Sequence, residues 1–301
     1  MRLIFDVMMQ RVWLILLISF FCSCHKNDSG GGITSDYTNP VKVQVVGYTG
    51  NIMEPFISRN GTILLFNNLN GAPENTNLHW ASRINDSTFQ YVGELGGVNT
   101  ADLEAVASLD KNNILYFVST RNYATTLSTI YQGNFVPGAA SNILIVSGIS
   151  KQQAGWVNFD VEVSADGNTL YFVDGQFDQS GNPTSANLVI AQKAGGVFQR
   201  LSNSADLLKN INTSALEYAA GISENELELY FTRVATPINS NSVPEIFVAK
   251  RKTKNDPFDA PMKIGSISGF AEAATISPDQ RTIYFHKKEG DKFGLYMVRK
   301  K

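Results

Sequence analysis

Cysteine and histidine are both scarce in this chain of 301 residues. Cys22 and Cys24 are the two cysteines, and His25, His79 and His286 are the three histidines. If the chain is cut just before Cys24, neither cysteine serves an internal disulfide of the mature protein. Three histidines leave little material for a histidine-ligated zinc site or a Ser-His-Asp arrangement, and neither HExxH nor GxSxG occurs. His79 and His286 are expected as packing or surface residues. Charged residues make up 17% of the chain and the formal net charge is -2, with none of the basic patches or stripes that nucleic acid calls for. The sequence therefore implies no metal set, no cofactor and no nucleic-acid partner, and it nominates no catalytic residue.

Apolar material is plentiful: hydrophobic residues make up 43% of the chain and aromatics 11%, which suits a folded, β-rich body. Most of it lies in a repeat. Residues 160–172 (DVEVSADGNTLYF) carry an acid, an apolar alternation ending in a serine, a tight Asp-Gly turn and a second apolar run. Related stretches are residues 54–66 (EPFISRNGTILLF), 104–117 (EAVASLDKNNILYF), 217–231 (EYAAGISENELELYF) and 272–285 (EAATISPDQRTIYF). Ser58, Ser108, Ser164, Ser223 and Ser277 anchor the five copies. A repeat of this length built from short antiparallel units marks a propeller or solenoid array. After the aromatic pair that ends the second run come a polar loop, a third run and a fourth, and four short strands make one propeller blade.

The last copy stops after its third run, whereas residues 41–47 (VKVQVVG) form a strand without a copy of its own. The economical expectation is an all-β, five-bladed β-propeller of four-stranded antiparallel blades, its ring closed by that N-terminal strand. Closure leaves no partial blade with a free edge. SADGNTLYF, SPDQRTIYF and the acid a few positions earlier resemble the WD-like propeller repeat of TolB and related envelope lipoproteins. Residues 99–104 (NTADLE) and 212–217 (NTSALE) resemble the lead-in to that repeat. The resemblance covers about residues 41–301 and implies the fold; one propeller scaffold hosts unrelated activities, so it implies no particular one.

Ahead of the repeats, residues 11–24 (RVWLILLISFFCSC) place a basic residue before an apolar run. That run is shorter than the roughly 20 residues a membrane span needs, and its flanks fit an export signal. The end of the run resembles a lipobox. This implies a lipoprotein signal peptide over 1–23, lipidation of Cys24, a flexible tether over 24–40 and a propeller domain over 41–301. The expected location is the cell envelope, at the outer membrane, with the lipid anchor supplying the membrane contact. An ordinary secretory signal with incidental cysteines is the alternative.

The recurring acids Glu54, Glu104, Asp160, Glu217 and Glu272 stand at or just before the innermost strand of each copy, around one mouth of a central channel. Three readings are open: each acid holds its own blade; the ring takes a cation or a polyhydroxylated ligand; or two acids hydrolyse glycosides. Trp156, Tyr123 and Phe177 lie in or near the long loops on the same face, placed to stack on a sugar or a partner, with packing between blades the alternative for Trp156. Asp174, Asp178, Ser180 and Asn182 offer oxygen ligands without EF-hand spacing. The preferred expectation is a non-catalytic binding or scaffold module for an envelope protein or glycan, with a five-bladed carbohydrate-active enzyme as the alternative.

Overall fold

A computed structural model describes residues 31–70, 75–178, 181–239 and 241–301. The expected signal peptide, Cys24 and Ser180 lie outside these residues. Each copy of the repeat is an antiparallel meander whose first two runs are joined by a polar turn. Ser58 Oγ accepts the Ile63 N–H and donates to Asn60. The same two bonds recur at Ser164 with Thr169 and Asp166, at Ser223 with Glu228 and Asn225, and at Ser277 with Thr282 and Asp279. The second copy departs from the expectation. Asp110, not Ser108, holds its turn by accepting the Asn112 and Ile114 N–H groups, each at 2.8 Å. Ser108 instead donates to Glu162 of the next copy at 2.7 Å.

The chain opens with β1 (Gly32–Thr34), β2 (Val41–Lys42) and β3 (Gln44–Val46). The first copy comprises β4 (Met53–Ile57), β5 (Ile63–Asn67), β6 (Leu78–Asn85) and β7 (Thr88–Glu94), in a sheet ordered β3-β7-β6-β5-β4. The second comprises β8 (Glu104–Leu109), β9 (Ile114–Ser119), β10 (Ile130–Val136) and β11 (Ala139–Ile145). In the third, the inner run is split into β12 (Trp156–Val157) and β13 (Val161–Val163), both paired with β14 (Thr169–Phe177), followed by β15 (Pro183–Ala194) and β16 (Val197–Arg200). The fourth comprises β17 (Leu216–Ile222), β18 (Glu228–Val234), β19 (Glu245–Lys250) and β20 (Met262–Ile264). It joins the third through one parallel pairing, Ala186 with Leu216. The fifth comprises β21 (Ala271–Ile276), β22 (Thr282–Glu289) and β23 (Lys292–Arg299), with β2 as its outer strand.

Side chains alternate across a strand, so the aromatic pair ending each second run sends one residue to each face. Phe172 packs against the second copy and Tyr171 against the fourth. Tyr116 and Phe117, Tyr230 and Phe231, and Tyr284 and Phe285 divide in the same way. In the first copy Leu65 faces the second copy, while Phe66 shares a cluster with Leu295 and Met297 of the fifth. Both faces of these strands are therefore core, which explains their unbroken apolar runs.

The amino-terminal segment differs from expectation in two respects. Within the stretch expected as tether, β1 pairs in parallel with β20, and Tyr37 is buried with its hydroxyl 3.1 Å from that of Tyr230. An aromatic side chain in an otherwise polar stretch supplies enough buried area to hold the segment down. Residues 41–47 also serve two sheets. Val41 and Lys42 pair with β23, then Gln44 to Val46 run parallel to β7, with Val43 and Val45 turned into the core.

Candidate functional site

The five recurring acids do not occupy one structural position. Counted back from the residue that holds the turn, Glu104 and Glu217 stand six residues ahead, Glu272 five, and Glu54 and Asp160 four. Glu104 and Glu217 sit in matching networks. Glu104 accepts the Thr100 N–H at 2.7 Å and its hydroxyl at 2.9 Å, and meets Arg121 at 2.9 Å. Glu217 accepts the same two groups of Thr213 at 3.1 and 2.6 Å and meets the fully buried Arg233 at 2.8 Å. Asn99 exchanges two hydrogen bonds with the Leu78 backbone, as Asn212 does with Leu188. The two NTxxLE segments are thus clasps that tie each lead-in to the third strand of the copy before it. For these two acids the blade-holding reading applies.

The other three acids converge. Glu54, Asp160 and Glu272 are 5%, 3% and 1% exposed, and among the described residues none has a lysine or arginine within ion-pair distance. Asn70 donates to Glu54 Oε1 at 3.0 Å and the Ala219 N–H to Asp160 Oδ2 at 3.1 Å. Tyr218 donates its hydroxyl to Glu272 Oε1, and His286 Nε2 lies 3.1 Å from Glu272 Oε2. His286 Nδ1 accepts the Glu54 N–H at 3.1 Å, which puts the ring proton on Nε2 and directs it at Glu272. Burial pushes the Asp160 carboxyl well above the usual carboxylate range, and Glu54 and Glu272 push the same way. Burial also raises Glu54, with Glu272 adding to the rise against the pull of His286 and Asn70. Tyr218 is raised by burial and then by Glu272.

Local backbone geometry explains the convergence. Four inner strands carry a bulge whose central residue is left-handed: Glu54 (φ 46), Val106 (φ 53), Ala219 (φ 52) and Ala273 (φ 57). Each bulge N–H is accepted by a side chain of the neighbouring copy. His286 takes that of Glu54, Asn67 that of Val106 at 3.2 Å, Asp160 that of Ala219, and Thr232 that of Ala273 at 3.2 Å. Glu54 is therefore the only one of these bulge residues whose side chain is charged. It lines a cavity of ≈ 30 Å³ together with Phe56, Val106, Glu162, Ala219 and Thr275. Toward the turns, Arg59 of the first copy reaches Glu162 of the third at 2.8 Å and Leu109 O at 3.2 Å. Burial raises the Glu162 carboxyl against the pull of Arg59.

His286 is a buried packing residue, as one of the two expectations had it, against the ring of Phe293; what the sequence pattern does not give is its place at the centre between Glu54 and Glu272. Tyr218, Glu162 and Arg59 also join the centre, although the repeat pattern gives them no prominence. A signal for His286 exists, because Asn67, Thr232 and His286 are polar residues placed directly after the pair that ends a buried strand. His79 packs among Tyr48, Phe66 and Tyr91 and bonds to the Tyr91 hydroxyl at 2.9 Å.

The loop residues are less available than their sequence positions suggest. Tyr123 and Phe177 are buried with Val157 in a small cluster, and Tyr123 donates to the Trp156 carbonyl at 2.7 Å. Neither offers a free ring face, because large aromatic surfaces find partners in the nearest apolar cluster. Trp156 is half-buried with Lys151 Nζ 3.1 Å from its ring centroid. Asp174 is held by both terminal nitrogens of Arg200 at 2.8 and 2.7 Å and by Lys151 at 3.3 Å. Asp178 accepts two bonds from Asn182. The carboxylate oxygens of Asp174 and Asp178 are thus directed at protein donors and not toward one another.

No known family model matches the sequence, and no curated protein matches it. Solved structures do. BT0996 in its RGII complex superposes with a TM-score of 0.58 at 10% identity, covering 87% of this protein and 92% of that one. Zg3597, a family 117 glycoside hydrolase of the marine bacterium Zobellia galactanivorans, gives 0.54 at 9% identity over 89% and 91%. The catalytic domain of a GH62 α-L-arabinofuranosidase from Coprinopsis cinerea gives 0.50 at 12% over 87% and 95%. TolB from Acinetobacter baumannii aligns at 0.44 and 12% identity, over 83% of this protein and 56% of that one. The chain is all-β and its structural neighbours are β-propellers. At these identities the likeness defines the fold alone.

Proposed function

We propose that this protein is a five-bladed propeller that works as a non-catalytic binding module for an envelope protein or glycan. In this reading the amino-terminal segment completes the ring and a lipid on Cys24 holds the protein at the cell envelope. Five shared cores, including the one between the fifth copy and the first, support the blade count, and the pairing of β2 with β23 supports the closure. The observation that carries the non-catalytic reading is the size of the centre. A cavity of ≈ 30 Å³ beside buried acids has room for about one water molecule. Glycoside hydrolysis needs a sugar between two carboxyl groups. Recognition then falls to the loops between second and third strands, which differ from copy to copy on a rigid scaffold.

The test is a glycan array and an envelope pull-down, run beside hydrolysis assays on a broad polysaccharide set. Saturable binding without turnover is the expected result. A second reading, a glycosidase, is favoured by one observation: among the described residues Glu54, Asp160 and Glu272 have no arginine partner such as Glu104 and Glu217 have. Turnover abolished by Asp160→Asn would establish it. For the anchor, Cys24→Ser is expected to move the protein out of the membrane fraction, and unchanged membrane association contradicts lipidation. Seven residues separate Cys24 from β1, so an anchored domain stays within about 25 Å of the bilayer.

A further inference from the structure

Resting on the glycan-binding reading, we infer that a pocket between the fifth copy and the first binds an acidic sugar, a ring that bears a carboxylate or a sulfate. The pocket measures ≈ 520 Å³, against ≈ 30 Å³ at the centre, and falls within the roughly 300–1,000 Å³ of small-molecule sites. A detour of the chain creates it. Residues 43–52 leave the edge of the fifth copy, run beside β7 as β3 and return to enter β4. Both ends of the detour are stitched to β23: the Val43 N–H donates to the Leu295 carbonyl at 2.8 Å and the Ile52 N–H to the Phe293 carbonyl at 3.0 Å. The Phe293 N–H donates back to Asn51 Oδ1 at 3.0 Å, and Lys292 Nζ to the Thr49 carbonyl at 3.0 Å. The space under this strap is therefore preformed. It adjoins the turn between β22 and β23, one of the loops between second and third strands to which recognition falls.

The lining selects the ligand. Val45, Ile52 and Leu295 supply buried apolar surface, and Tyr48 and Phe293 add half-buried rings. A sugar offers the matching mixture of apolar C–H faces and hydroxyls. Tyr48 is held in place by Phe66, His79 and Tyr91, whose ring centroids lie 5.1, 5.6 and 4.8 Å from its own. Burial pushes its hydroxyl up to about 12, with Tyr91 and Glu94 adding to the rise, so it stays protonated and able to donate. The charges at the rim favour an anion. Lys42 and Lys292 line the pocket, and Lys288 lies over the Phe293 ring. Lys42 meets Glu289 at 2.6 Å, whereas among the described residues no carboxylate lies within ion-pair distance of Lys288 or Lys292. A positive rim over a partly apolar pocket concentrates anionic ligands. Glu289 at the same rim opposes a polyanion, so a sugar with one charge on a ring fits better than a polyphosphate.

The experiment is titration calorimetry of the full chain with three probes: a uronic acid disaccharide, its methyl ester, and a sulfated disaccharide of the same size. The ester keeps the shape and removes the charge, so it should bind about tenfold more weakly than the acid. Whichever of carboxylate and sulfate binds more tightly identifies the anion. Lys292→Met keeps the apolar stem and removes the ammonium, and should bring acid and ester to the same affinity. Val46→Trp fills the pocket from an exposed position and should abolish binding of every probe. Lys209→Met, exposed in the connection between the third and fourth copies, should change nothing. Circular dichroism checks that the variants are folded. A wild-type protein that binds neither the acid nor the sulfate overturns the inference, as does binding that survives both pocket variants. In either case a ligand recovered by the array or the pull-down keeps the binding-module reading. Hydrolysis of a sugar whose binding still depends on Lys292 removes that reading and keeps the pocket.

Discussion

Glu104 and Glu217 each meet an arginine of their own copy, whereas Glu54, Asp160 and Glu272 gather at the centre, and among the described residues no lysine or arginine lies within ion-pair distance of them. All five acids belong to the same repeated pattern, and the difference arises from one or two residues of spacing before a turn. Six residues ahead of the turn, the carboxylate lands beside the second strand and its arginine and closes a clasp. Four or five ahead, Glu54 lands on its bulge and Glu272 next to one, while Asp160 lies in the break between β12 and β13; all three turn toward the centre. The first arrangement uses its charge to hold neighbouring copies together. The second leaves charge uncompensated, and that is where chemistry or binding has something to act on.

The comparison can be broken most forcefully at Arg233. Arg233→Met strands the fully buried Glu217 carboxylate, and a loss of about 3–5 kcal/mol in urea unfolding is expected. Arg121→Met should cost less, about 1–3 kcal/mol, because Arg121 is 16% exposed and water replaces part of what it supplies to Glu104. Losses of the same size at both sites would mean that burial does not set the difference.

Asp160→Asn sharpens the comparison from the other side, with the smallest effect and the opposite sign. A carboxyl whose folded pKa is raised favours its protonated form in the native state. Its penalty is absent below the unfolded pKa and grows as pH rises above about 4 toward the folded value. In chelator at pH 7, Asp160→Asn is therefore expected to match or exceed wild-type stability, by about 1 kcal/mol. The difference should vanish near pH 4. A variant that is less stable at pH 7 and more so at pH 4 contradicts the raised pKa.

The repeats are legible in the sequence because their causes are local. The Ser-x-Asp/Asn turn is a set of hydrogen bonds within six residues, and the aromatic pair obeys strand alternation. Asp110 is obscured by the same pattern, since an aspartate performs the serine's task two residues after Ser108. The β1 strand and the buried Tyr37 are hidden because nothing near them in sequence resembles a strand; their partners lie more than 190 residues away. His286 is hidden because its role comes from the first copy, which supplies the N–H it accepts. Across the candidate site, residue types are visible, but which acids have partners is not. That depends on bulge register, which composition does not carry.

The most direct measurement is urea unfolding, at pH 7 in chelator, of four single variants: Glu104→Gln, Glu217→Gln, Glu54→Gln and Asp160→Asn. A division of the repeated acids into clasps and a convergent cluster predicts clear destabilisation for the first two and none for the last two. Equal losses at all four positions would show that the acids serve one structural purpose and would contradict the division.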